Sequence, residues 1–289
     1  MHKVTVIGLG AMGAAIAAVL VEQNYQVTVW NRTPSRADSL IRRGAVLASS
    51  AASAVAASPI TIICLADYGV STSILNQESV KSALAGRVLI QLSTGSPQQA
   101  RDLEAWTTRL GAAYLDGAIV ASPPQMGSAG ATIFVSGSMS TWRQSESLLQ
   151  KLAGNVSYHG EQVSAAASTD LAFLAYLFGS YLGFFHAARI LETDELSVEA
   201  FGAMIAQVSP VIGEVMKYQG TVIQNNAYSQ PLSSLQMSMT SIELLTLQAR
   251  ESGINNEFPR FAENLFHKAL HAGYGSEEVA ALVKVLRQE

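Results

Sequence analysis

Over residues 1–160, short β-branched and apolar runs alternate with segments of helical period. "KVTVIG", "QVTVWN", "ITIICLA", "RVLIQLS" and "AAYLDGAIV" read as strands, and "TIFVSG" and "VSYHG" as late additions to them. Between them, "AMGAAIAAVLVEQN", "SRADSLIRRG", "SAVAAS", "STSILNQESVKSALAG", "PQQARDLEAWTTRLG" and "STWRQSESLLQKLAG" read as helices. Regular alternation of this kind predicts an α/β fold, a doubly wound parallel sheet with helices on both faces. From Glu161 onward no strand pattern is found. "EQVSAAASTDLAFLAYLFGSYLGFFHAARILETDE" predicts one helix of roughly 30 residues, about 45 Å long at 1.5 Å per residue. Four further helical runs follow, separated by Gly or Pro. The organisation predicted is a sheet domain over residues 1–160 and an all-α domain over residues 161–289, opened by that long interdomain helix.

Composition narrows the class. The chain has 289 residues, 49% hydrophobic and 14% charged, with a formal charge of −4. That balance leaves no basic footprint for nucleic acid. A single cysteine, Cys64, excludes an intrachain disulfide. The strand pattern begins at once, without the features of a signal peptide, so a cytoplasmic location is expected. Leu171–Ala188 lacks formal charge over 18 residues, the lower limit for a membrane span. It contains Ser180, Tyr181 and His186, and no basic cluster flanks it. The expectation is therefore a helix buried in protein, including between two subunits, and no membrane partner.

"VTVIGLGAMGAAIA" carries G-x-G-x-x-G between the first strand and the first helix. Gly8 permits the tight turn, Gly10 lets the backbone approach a pyrophosphate, and Gly13 lets helix and strand pack closely. Leu9, Ala11 and Met12 complete the loop, whose helix N-terminus favours anions. In this context the motif predicts a dinucleotide site. NAD sites usually end the second strand on Asp or Glu, which binds the ribose 2′-hydroxyl. Here the strand ends in Asn31, Arg32 and Thr33, with Arg36 just beyond. Guanidiniums suit a 2′-phosphate, so NADPH is the expected cofactor. Strand ends at Cys64, Leu65, Ala66 and Asp67, and at Ser93 and Thr94, should face the same crevice. Cys64 reads as a packing residue, since no partner for a nucleophile is identifiable. His267 and His271 are four apart but lack a ligand set, so no metal is expected.

With "GLGAMG", "VWNRTPSRADSL", "CLAD", "LSTGSP" and the long helix in place, the chain resembles the β-hydroxyacid dehydrogenase superfamily over essentially its full length. Within that group it is most similar to the imine reductases. The dehydrogenases carry a Ser-Gly-Gly stretch for a substrate carboxylate where this chain has "VASPPQMGSAG". Asp116–Ile119 followed by Pro123 and Pro124 looks like the imine reductase pattern instead. The dehydrogenases' catalytic lysine position falls on Asp170 and their asparagine position on Leu174. The resemblance implies Asp170 as the catalytic residue of an Asp-bearing imine reductase. A tyrosine of some reductive aminases falls on Phe178, and an asparagine of those enzymes on Thr94, departures that bear on amine–ketone condensation. The resemblance also implies a homodimer with intertwined, domain-swapped helical regions. Its substrate pocket would include Thr94, Phe178 and Met237, with Met239 as either pocket or core.

The expected reaction is hydride transfer from NADPH to the carbon of an imine or iminium, giving a chiral amine. A carboxyl in an apolar cavity has its neutral form favoured and could donate a proton; ionised, it could hold the cationic iminium. On a helix Asp170 shares a face with Phe173, Leu174, Leu177 and Tyr181. A bare helix-capping role for "STD" is the competing reading of that residue. Competing readings of the whole chain are a hydroxyacid dehydrogenase-like oxidoreductase and a non-catalytic NADP-binding dimeric protein.

Overall fold

A computed structural model describes residues 2–287. The chain divides into two compact units, one ending at Ala175 and the other beginning at Tyr176.

The first unit holds β1 (Lys3–Ile7), β2 (Gln26–Trp30), β3 (Val46–Leu47), β4 (Ile60–Ile63), β5 (Val88–Gln91), β6 (Ala113–Val120), β7 (Thr132–Gly137) and β8 (Asn155–Tyr158). They form one sheet in the order β3-β2-β1-β4-β5-β6-β7-β8. Every pairing is parallel except β6 with β7. The connecting helices are α1 (Ala11–Glu22), α2 (Asp38–Arg42), α3 (Ala51–Ala56), α4 (Tyr68–Leu75), α5 (Glu78–Leu84), α6 (Pro97–Arg109) and α7 (Met139–Leu149). Adjacent strand residues feed opposite faces: Ile62, Ile90 and Leu115 enter one hydrophobic cluster, Ile63, Leu89 and Tyr114 the other. Burial on both faces explains why these strands read as continuous apolar runs.

Three local differences from the sequence pattern have physical causes. The run "STSILNQESVKSALAG" is two helices, because Asn76 closes α4 and Gln77 is extended before α5. That helix also starts earlier than its periodicity suggests, since Asp67 accepts a hydrogen bond from the Val70 N–H at 2.8 Å and caps it. The edge strand β3 is only two residues long, with Val46 exposed, too short to give an alternating signal.

The long helix, α8 (Ala165–Thr193), spans 29 residues. The units divide within it, whereas the change of sequence texture falls at Gly160. Its first turns belong with the sheet because Ser136 on β7 accepts the Ala166 N–H at 2.9 Å and donates to the Val163 carbonyl at 2.6 Å.

The second unit continues α8 and adds α9 (Val198–Asn225), α10 (Leu235–Glu251), α11 (Glu257–His271) and α12 (Val283–Leu286). Pro210 lies inside α9 rather than ending it. The core comprises Val222, Tyr228, Leu235, Met239, Phe266 and neighbouring alanines. Glu278 is fully buried there and accepts backbone N–H groups from Leu232 at 2.6 Å and Val279 at 3.0 Å, which hold its carboxyl below the usual range against desolvation. Both α8 and α9 are long and apolar enough to cross a membrane. Of α9 only Val222 is buried, while Val211, Val215 and Met216 on it, and Tyr181, Leu182 and Phe185 on α8, are exposed.

Candidate active site

The carboxyl ends of β1, β2 and β4 enclose a cleft of about 810 Å³. Gly8 closes β1 with φ +98°, and a Cβ there would lie 2.2 Å from the Cys64 carbonyl oxygen. A Cβ at Gly13 would lie 2.0 Å from the Gly8 carbonyl oxygen. These two glycines serve the turn and the helix–strand contact. Gly10 differs, since its added Cβ would meet no heavy atom within 4 Å. It lines the cleft and stands at the N-cap of α1 with no capping side chain and no acid in the first turn. An open cradle at a helix N-terminus is what a pyrophosphate requires. The residues present therefore fit a dinucleotide.

The end of β2 sets the charge of the cleft. Arg32, Thr33 and Arg36 are exposed and line it, and among the described residues no carboxylate does; Asp67, expected at this crevice, instead caps α4. Asn31 lines it too, but its side chain is committed: Oδ1 accepts the Leu9 N–H at 3.0 Å and Nδ2 donates to the Thr33 carbonyl at 3.0 Å. Asn31 thus ties the glycine loop to the arginine-bearing turn. Ala11 and Met12 also line the cleft, as do Cys64, Leu65 and Ala66 beyond β4. Burial pushes the Cys64 thiol up to about 11, so it is a neutral packing group at physiological pH. Ser93 does not line the cleft; it is buried, and its hydroxyl accepts the Leu65 N–H at 2.9 Å, fixing that turn from beneath. Thr94 is exposed outside the cleft. The sequence reading missed the wall supplied by Gly69, Val70, Ser73 and Ile74 of α4 with Gln77 beyond it. Asp67 as a helix cap was the signal that would have brought α4 to this edge.

Asp170 lies a full turn inside α8, so it is not a cap of that helix. It is only 5% exposed, and burial raises its carboxyl above the usual range. Phe173, Leu174 and Leu177 beside it are half-buried. The first unit holds a second buried carboxyl. Asp116 on β6 is buried, and its Oδ1 accepts the Tyr114 hydroxyl at 2.9 Å and the Tyr68 hydroxyl at short range. Burial pushes its carboxyl up to about 7, and the Tyr68 and Tyr114 hydroxyls oppose the shift. Of the expected pocket residues, Thr94 lies in the first unit and Phe178 and Met237 in the second. Phe178 is exposed, with its ring edge-on to Tyr181 at 5.9 Å. Met237 on α10 is exposed, whereas Met239 is a core residue.

Residues 3–160 match the family described as the NAD binding domain of 6-phosphogluconate dehydrogenase. Residues 162–288 match the NADPH-dependent reductive aminase-like C-terminal domain. The chain is 30% identical over 286 residues to the NADPH-dependent reductive aminase of Aspergillus oryzae, covering 98% of this chain and 96% of that one. An imine reductase from Myxococcus stipitatus solved with NADP⁺ superposes with a TM-score of 0.93 at 32% identity, over 99% of this chain and all (100%) of that one. A reductive aminase from Aspergillus terreus, solved with NADPH4, cyclohexanone and allyl amine, gives 0.90 at 32% identity, over 99% of each chain. The protein belongs to the family of imine reductases and NADPH-dependent reductive aminases.

Proposed function

We propose that the protein is an NADPH-dependent imine reductase that converts imines or iminium ions to amines, with Asp170 as its catalytic residue. The observation that carries this reading is Asp170 itself, a buried carboxyl one turn inside α8 with no ion-pair partner among the described residues. Bound NADPH would supply the hydride for the C=N carbon. Gly10 and the first turn of α1 receive the pyrophosphate, and Arg32 and Arg36 pair with the 2′-phosphate. Asn31 holds those two parts of the site in register. Asp170, with its neutral form favoured by burial, gives its proton to the imine nitrogen or, once ionised, holds an iminium cation. Thr94, Phe178 and Met237 are assigned to the substrate pocket by the family resemblance.

A homodimer with intertwined helical regions completes the reading. It is supported by α9, which buries only Val222 while carrying a long apolar surface. The functional division follows residues 1–160 for cofactor and 161–289 for substrate and dimerisation, in a cytoplasmic protein. A second reading, reductive amination of a ketone with an amine, is favoured by the Aspergillus relatives. The absence of a phenol at Phe178 argues that this activity is the weaker one.

The test is NADPH oxidation with the cyclic imine 2-methylpyrroline. Wild-type turnover with a fall of about 10²–10⁴-fold in Asp170→Ala is expected for loss of a general acid. Turnover that survives the substitution overturns the role of Asp170. Cofactor binding without turnover of any imine, alongside oxidation of hydroxyacids with NADP⁺, favours the dehydrogenase reading.

A further inference from the structure

The wall that α4 supplies to the cleft has little behind it. Gly69, Val70, Ser73 and Ile74 line the cleft on one side. Tyr68, Gly69 and Thr72 line a second hollow of about 480 Å³, closed on its far side by Leu103 and Trp106 of α6. The helix is thus an eight-residue partition between two hollows. Of its residues only Tyr68, Ser71 and Leu75 are buried. The Asp67 cap and the Ser71 hydroxyl bond only within residues 67–71. Among the described residues, the hydrogen bonds that tie α4 to another element all come from the Tyr68 side chain.

Tyr68 makes that tie on two sides. Its hydroxyl donates to Asp116 Oδ1 on β6, and the Tyr114 hydroxyl donates to the same oxygen at 2.9 Å. The two phenol oxygens are 3.4 Å apart. The Tyr68 ring lies over Gly95, in the turn between β5 and α6, where a Cβ would stand 2.3 Å from the ring. Packing on that turn calls for a ring and not for a hydroxyl. The hydroxyl matters because Asp116 is there to accept it. A carboxyl left 1% exposed costs far more desolvation than an apolar residue would. Among the described residues no lysine, arginine or histidine pairs with it. What this costly acceptor holds is the first residue of the cleft wall.

We propose that Tyr68 is a positioning residue for NADPH: bonded to Asp116 and seated on Gly95, it holds α4 against the sheet and so fixes the width of the cofactor cleft. The proposal rests on that cleft as the NADPH site. Without the hydroxyl, α4 is free to move back into the hollow beside α6. NADPH that binds only the closed arrangement then loses affinity in proportion to the fraction of chains that leave it.

Fluorescence titration of the full-length protein with NADPH compares Tyr68→Phe with Tyr114→Phe. Each removes one phenol from the same carboxylate oxygen, so urea denaturation should find the two similarly destabilised. Only Tyr68→Phe should raise the NADPH Kd, by about tenfold, within the worth of a hydrogen bond to a charged group. Tyr114→Phe should stay near the wild-type value. In turnover of 2-methylpyrroline the rise should appear in KM for NADPH, with kcat at saturating NADPH little changed. Asp116→Asn keeps an acceptor for the Tyr68 hydroxyl and should retain most of the affinity. Gly95→Ala displaces the same ring and leaves its hydroxyl in place; it should also raise the Kd, and carries the test if Tyr68→Phe does not fold. A wild-type Kd in Tyr68→Phe, or equal rises in both phenol variants, overturns the proposal. The titration needs no turnover, so the expected Kd pattern without reduction of any imine would count against the imine reductase reading alone. A wild type that binds no NADPH would overturn both.

Discussion

Substituting Gly10 and Gly13 separates binding from folding within one motif. A Cβ at Gly13 would lie 2.0 Å from the Gly8 carbonyl oxygen, well inside contact distance and against backbone that cannot rotate away. Gly13→Ala should therefore force β1 and α1 apart and cost about 1–3 kcal/mol of stability, the range for overpacking. At Gly10 the same methyl meets nothing within 4 Å, and φ −67° with ψ −177° is open to any residue. Alanine is a poorer N-cap than glycine, so Gly10→Ala should lose no more than about 1 kcal/mol. Yet that methyl stands where the pyrophosphate must approach. Its Kd for NADPH should rise at least about tenfold, equivalent to about 1.4 kcal/mol. Urea denaturation and fluorescence titration with NADPH read the two quantities on the same samples. Equal destabilisation by both substitutions, or normal NADPH affinity in Gly10→Ala, would refute this account of the cleft.

Arg32→Ala and Arg36→Ala should each weaken NADPH by about 1.5–3 kcal/mol, the worth of a charged hydrogen bond, while leaving NADH affinity nearly unchanged; isothermal titration with both cofactors checks this. The Asp116 carboxyl, pushed up to about 7 from 3.8, binds protons more readily folded than unfolded. Its contribution therefore opposes folding increasingly as pH rises through that window, by a few kcal/mol in total, and Asp116→Asn should flatten the decline in stability between about pH 4 and 7 in urea titrations. Val211→Glu places a charge on the exposed apolar side of α9. Sedimentation should find the wild type at twice the chain mass and the variant largely as monomer, and identical masses would count against the dimer.

Much of the fold was legible because both sheet faces are buried, so every strand except the two-residue edge strand β3 announced itself as an apolar run between Gly-rich turns. Glycine spacing and the arginines after β2 located the cleft for the same local reason, since a turn and its helix are adjacent in sequence. Contributions set by tertiary contact were not legible. Ser93 was expected at the cofactor and instead supports Leu65 from below. The wall from α4 was missed because its cap, Asp67, precedes the periodic residues. Asp116 was visible only as part of a family pattern; that it meets Tyr68 depends on pairing of residues 48 apart.

The central claim is hydride delivery from NADPH to a C=N carbon at a site governed by Asp170. Mass spectrometry of the amine formed from 2-methylpyrroline, using NADPH deuterated at C4 of the nicotinamide, tests it most directly. The account predicts one deuterium on the former imine carbon from one of the two C4-deuterated stereoisomers, and almost no labelled amine with Asp170→Ala. Amine without deuterium from either stereoisomer, or equal labelled product from wild type and variant, would contradict it.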